Sequence, residues 1–315
     1  MLFTATLQQM AYLFSLLAIG YLFMKLKVIP DCSETVLSKL ENLVFMPALV
    51  LRTFMNHFTT ERIAGAGKLL AGSLALELIV IPLAYVGARL CAKDPHTRNI
   101  YWYGLSFSNF AFMGNAIVSA LFEDIFLEYI IFVLVLWIFI YLWGVPVLLM
   151  GDDSPRRGFR AKIKVFANPM LICMLLGMII GLSGITVPAF FQSLVSSTGD
   201  CMSPVAMLLT GMTVAKIDIR SVLKIKSIYV ITLLRLLVFP LLLLAVLYFT
   251  NGVFSKTFMI CAVCSLAMPL GLNTIVIPSA FGKDTKVASG MALVSHAMSC
   301  LTIPVIFLLL QSLME

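Results

Sequence analysis

Asn115 and Asn273 stand 158 positions apart in a chain of 315 residues and open similar tetrapeptides, Asn115-Ala116-Ile117-Val118 and Asn273-Thr274-Ile275-Val276. A carboxamide offers two N–H donors and one acceptor oxygen without carrying charge. In an apolar setting two such groups suit recognition of a carboxylate, and Asn109 and Ser106 are near enough in sequence to Asn115 to add donors. A second pair keeps the same spacing. Glu77 and Arg235 each sit within an otherwise apolar run. An ionised acid at mid-helix in hydrocarbon costs about 2.5–3.5 kcal/mol on insertion scales, so Glu77 must be paired, hydrated or protonated. Two readings stand for it. One is a carrier of a proton or coupling ion, with Arg235 as its partner or as a separate charge attracting anions. The other is a structural ion pair between the two.

Other chemistries lack their residues. The sequence has no phosphate-binding Gly-Lys-Ser/Thr loop, no helical metal-ligand spacing and no nucleophile with a base at a useful interval. Neither an enzyme, nor ATP drive by this chain, nor a bound metal or organic cofactor is expected; a coupling H+ or Na+ stays open. Cys261 and Cys264 form a lone C-x-x-C without a second pair, and read as buried free thiols. His296 reads as a satisfied interior histidine, Asp200 as a helix cap, and Glu41 with Asn42 as residues lining an inner mouth.

The elements that must position these residues follow from composition. Hydrophobic residues make up 61% and charged residues 12% of the chain, and the mean hydropathy is +1.04. Soluble domains carry about 25% charged residues. Apolar runs near bilayer length recur throughout, so the chain is a polytopic membrane protein whose partner is the lipid bilayer. The first run, about Leu7 to Met24, lacks a basic leader and a small-residue cleavage site, and reads as a retained helix. The net charge of +7 does not point to nucleic acid, because the basic residues fall in loops that set topology.

The chain repeats itself. Pro30, Pro47, Pro82 and Pro146 recur as Pro188, Pro204, Pro240 and Pro304, and Gly20 recurs as Gly177, each 157 or 158 residues later. The pattern divides the chain into a five-helix unit over 1–150, a hydrophilic cytoplasmic linker over 151–165, and a second five-helix unit over 166–315, which opens at Asn168-Pro169. Expected helices lie near 7–24, 36–54, 69–88, 101–122 and 129–150, then near 168–184, 197–215, 227–250, 257–281 and 287–313, with a polar loop from His57 to Lys68. The fourth and ninth are interrupted, the fourth by Ser106, Ser108, Asn109, Gly114 and Asn115, the ninth by Pro269, Gly271, Asn273 and Pro278. Interrupted segments at matching places in two repeats mark the binding site of a secondary transporter.

Placing both termini outside the cytoplasm puts most of the 22 Lys and Arg residues in inner loops, including Lys25, Lys27, Arg89, Lys93, Arg98, the cluster from Arg156 to Lys164, Lys216 and Lys224. The positive-inside rule favours that topology in a plasma or inner membrane. Five is odd, so the second unit crosses the membrane in the opposite sense. The repeats are inverted, which is the logic of alternating access.

Across its whole length the chain resembles the auxin efflux carrier family, which includes plant PIN-type auxin exporters and bacterial malate or malonate permeases. The resemblance rests on Asn42 to Leu49, Asn109-Phe110-Ala111-Phe112-Met113-Gly114-Asn115, Asn168-Pro169, Pro204 to Thr213, and Pro269 to Asn273. It departs at Ala116, where the family usually has proline. The resemblance implies ten transmembrane helices, with the fourth and ninth crossing at mid-membrane. It also implies an organic anion held at Asn115, Asn273, Asn109, Ser106, Gly114 and Pro269, and it is compatible with a homodimer. A more distant similarity to sodium-coupled bile acid symporters keeps that mechanism as an alternative, and an anion channel on the same fold is another.

Overall fold

The computed structural model describes residues 2–151, 169–216, 218–250 and 252–314. Among them every regular element is helical, the form in which a chain in hydrocarbon satisfies its own backbone. Beyond Gly151, the expected linker lies outside the described residues, as does Asn168. In the first half, α1 is Leu2–Lys25, α2 Ser33–Leu40, α3 Met46–His57, α4 Thr60–Gly65, α5 Gly67–Cys91, α6 Pro95–Ser106, α7 Asn115–Leu121 and α8 Phe126–Phe139. In the second, α9 is Pro169–Ser183, α10 Ala189–Asp200, α11 Met202–Lys216, α12 Ile219–Leu223, α13 Lys226–Leu233, α14 Phe239–Phe249, α15 Lys256–Ala267, α16 Asn273–Ala280 and α17 Lys286–Met314.

Four continuous helical stretches among the described residues are long and apolar enough to cross a membrane: 67–91, 126–149, 226–249 and 286–314. Others are broken. The loop expected from His57 to Lys68 instead holds α4, which Thr59 caps by accepting from the Arg62 amide. The helix expected over 197–215 begins earlier, as α10, and is interrupted at Cys201 before α11.

Wide π-helical turns accompany three of the prolines. Glu41–Phe45 precedes Pro47, Leu234–Val238 precedes Pro240, and Ile140–Leu149 contains Pro146. Proline has no N–H and crowds the carbonyl one turn back. A wide turn relieves that clash without ending the helix, and it re-aims nearby side chains. Arg235 lies in one such turn and Glu41 opens another.

Helix pairs approach closely at glycine. A Cβ on Gly20 would collide with the carbonyl of Leu208 in α11. A Cβ on Gly177, 157 residues later, would lie 2.9 Å from the carbonyl of Leu51 in α3, and Leu51 precedes Leu208 by the same 157. Small residues let backbones approach where hydrocarbon provides no hydrophobic drive for helix association. Gly20→Val therefore forces α1 away from α11, with an expected loss of about 2 kcal/mol. A lower melting temperature in detergent checks this.

Candidate functional site

The two expected breaks meet. α6 ends at Ser106, and the chain is extended at Phe107 and non-helical through Asn109 before the π-turn Phe110–Gly114 leads into α7. α15 ends at Ala267, and the chain is irregular until α16 begins at Asn273. Between them Ser108 and Leu270 form an isolated antiparallel bridge. The Asn109 amide donates to the Pro269 carbonyl at 2.8 Å, and the Gly271 amide donates to the Phe107 carbonyl at 3.2 Å. The Ser108 hydroxyl donates to the Ser265 carbonyl at 2.6 Å. Backbone groups freed by each break are thus satisfied by the other, as buried amides require.

Arg235 holds the same crossing from the side. It is 1% exposed. Its Nη1 donates to the Leu105 carbonyl at 2.7 Å, Nη2 to Ser265 at 3.2 Å and Nε to Met268 at 3.3 Å. Those carbonyls lie at the C-terminal ends of α6 and α15. A helix C-terminus presents unpaired carbonyls and partial negative charge, and a planar guanidinium answers both at once. Glu77 is buried and near enough to feel the Arg235 charge. No ion pair within 4 Å joins them among the described residues, and Glu77 Oε2 has no hydrogen-bond partner.

The other expected residues are distributed unevenly. Asn109 is buried. Its Nδ2 donates to His296 Nε2 at 2.9 Å, while His296 Nδ1 lies 2.8 Å from the Ala292 carbonyl. A carbonyl only accepts, so the proton is on Nδ1 and both ring nitrogens are engaged. Asn273 is the first residue of α16 and donates to the Tyr103 hydroxyl at 3.0 Å. Ser106 Oγ and the side-chain oxygens of Asn109, Asn115 and Asn273 have no partner. Gly114 is buried against the Tyr129 hydroxyl, where a Cβ has no room.

Asn115 borders an open space. A cavity of about 400 Å³ lies between α3, the α10–α11 corner, α7 and α8, and Arg52, Thr53, Asn56, His57, Asp200 and Asn115 contribute its polar lining. At its rim Arg52 forms an ion pair with Asp200 and also donates to Ser196 Oγ at 3.0 Å. Asp200, the last residue of α10, is thus a partner for Arg52, a role that its place in sequence beside a helix start does not suggest. A larger cavity, about 600 Å³, is lined by Arg62, Lys68, Glu128 and Phe258 and includes none of the crossing residues.

The far ends of these helices are bolted shut. The Ser279 and Thr213 hydroxyls donate to Glu34 Oε1 at 3.0 and 3.1 Å, and Lys216 Nζ lies 2.7 Å from Glu34 Oε2. The Ser38 hydroxyl donates to the Val276 carbonyl at 2.7 Å. At 1.5 Å rise per residue, Glu34 and the cavity residue His57 lie about 35 Å apart along one interrupted helix. The cavity at Asn115 thus lies toward the α3 end of that helix, and the Glu34 contacts lie at its α2 end.

No curated protein matches the chain, but residues 5–307 match the membrane transport protein family, that of the auxin efflux carriers. With nearly its full length covered, the chain belongs to that family.

Proposed function

We propose that the protein is a secondary active transporter that moves a small carboxylate anion by alternating access, with the substrate held beside the crossing of the two broken helices. In this reading ten spans form two inverted repeats. α2 with α3, and α10 with α11, each make one interrupted span. α6 with α7, and α15 with α16, make the crossing pair. The equivalent contacts of Gly20 and Gly177 support an internal twofold.

The observation that carries the proposal is the cavity that ends at Asn115 next to the crossing. Its wall offers carboxamide donors and acceptors. Arg235 already covers the C-terminal ends of α6 and α15, so those partial negative charges do not repel an anion. The start of α16 supplies the opposite polarity. With both termini outside the cytoplasm, the cavity faces outward and the Glu34 latch faces inward.

Uptake of labelled mono- and dicarboxylates into proteoliposomes tests this. Saturable uptake with counterflow is expected for at least one carboxylate; flux without counterflow would indicate a channel. Glu77→Gln addresses coupling in the same assay. Loss of the response to a proton or sodium gradient, with normal expression, makes Glu77 a coupling group. Poor expression with the gradient response retained makes it structural.

A further inference from the structure

Glu41 has no part in the cavity, the crossing or the latch, yet it is the most completely buried acid of α2 and the turn that follows. It is 0% exposed, and neither carboxylate oxygen has a hydrogen-bond partner. The neighbouring Asn42 is 5% exposed, and its Oδ1 is also unpartnered. Glu41 opens a π-helical turn, a feature frequent at functional sites.

Its direction follows from its neighbours. Glu34, Ser38 and Glu41 are spaced four and three residues apart, so they share one stripe of the helix. The first two reach α16: Glu34 accepts from Ser279, and Ser38 donates to the Val276 carbonyl. The partner's number falls as the α2 number rises, so the helices run antiparallel. The same register brings Glu41 and Asn42 level with Leu272 and Asn273, where α16 begins. The π-turn packs on α16 and α11, and Asn273 Oδ1 lacks a partner there too.

Among the described residues no countercharge pairs with Glu41. The elements packed on its turn carry Glu34 and Lys39 from α2, Arg52 and His57 from α3, Asp200 from α10 and Lys216 from α11; α9 and α16 carry no acidic, basic or histidine residue. Glu34 and Lys216 pair with each other, as do Arg52 and Asp200. His57 Nδ1 accepts from Arg62, and Lys39 is exposed. An ionised carboxylate sealed away without donor or cation is strongly disfavoured. α16 closes over this stripe only when Glu41 is neutral.

We propose that Glu41 is a proton site of the transport cycle. It exchanges its proton with the solution on the α2 side when α16 parts from α2, and closure over it requires that the proton be bound. The proposal rests on the alternating-access reading above and adds to it a reason why the empty seal cannot close without a proton.

Two measurements on the full chain decide it. In proteoliposomes, the ratio of labelled carboxylate uptake with and without a proton gradient is expected to exceed tenfold for the wild type. It falls to about one for Glu41→Gln, whatever that variant's absolute rate. A retained gradient response in Glu41→Gln overturns the proposal. The second measurement needs no substrate. The infrared difference spectrum between acid and alkaline pH is expected to contain a buried carboxylic acid C=O band that disappears in Glu41→Gln and shifts in Glu41→Asp. A spectrum unchanged by both substitutions also overturns it. If the wild type moves no carboxylate, the transport reading fails, and the infrared bands still decide whether Glu41 titrates.

Discussion

Arg235→Met is expected to lower stability by about 3 kcal/mol or more, because charge-assisted hydrogen bonds contribute about 1.5–3 kcal/mol each and three backbone carbonyls lose a guanidinium donor together. The cost of burying a guanidinium works the other way, and an apolar replacement of a buried ion pair is sometimes neutral. Here the partners are not another charge that leaves with it. They are helix-end carbonyls that stay buried, and although Ser265 keeps the Ser108 hydroxyl, those of Leu105 and Met268 lose the guanidinium with no side chain to replace it. The variant should unfold several degrees earlier in detergent and lose transport. Arg235→Lys separates geometry from charge. An ammonium keeps the charge but lacks the planar fork, so it should recover only part of the lost stability. Wild-type melting in Arg235→Met would show that the crossing holds without its guanidinium. Full transport in Arg235→Lys would return Arg235 to the role of a general attractor of anions.

Asn115→Ala is expected to reduce carboxylate uptake at least tenfold, equivalent to about 1.4 kcal/mol of lost binding, with melting nearly unchanged. Asn115 lines the cavity, and its Oδ1 has no internal partner to lose. Asn273→Ala should reduce uptake as well but also lower melting, since Asn273 donates to the buried Tyr103 hydroxyl. The pair is thus separable by experiment: one change affects transport alone, the other transport and stability. Equal transport in both variants and the wild type removes these residues from the site. Assaying both for uptake and melting in parallel gives the comparison.

The broken helices were legible in sequence to different degrees. Pro269 and Gly271 announce the second break, since proline withholds a donor and glycine favours no helix. The first break was expected across Ser106 to Asn115, and the non-helical backbone occupies only the early part of that stretch, at Phe107–Asn109. No proline marks it. The chain leaves the helix there because the amide of Asn109 and the carbonyl of Phe107 find partners at Pro269 and Gly271. A contact so distant in sequence leaves no local trace. Asp200 illustrates the same gap. Beside a helix start it reads as a cap, whereas its partner Arg52 is 148 residues away. Arg235 was visible as a buried charge matched in position to Glu77. Its attachment to helix ends was not, because the wide turn at Leu234–Val238 changes where the side chain points. Membership of a membrane transport family was the most readable property, since apolar run lengths and spaced prolines survive without knowledge of contacts.

The breaks themselves are unequal. Residues 107–114 separate α6 from α7, whereas only 268–272 separate α15 from α16. In the proposed carrier, identical halves would make its two facings states of equal free energy. The first break contains a π-helical turn and the second is wholly irregular, and this difference lifts that degeneracy. The empty protein then rests preferentially toward one compartment, and half-saturating concentrations differ between the two faces even though net flux still vanishes at equal electrochemical potential. Polarity of operation is in this sense written into where the helices stop, independent of any ion that drives the cycle.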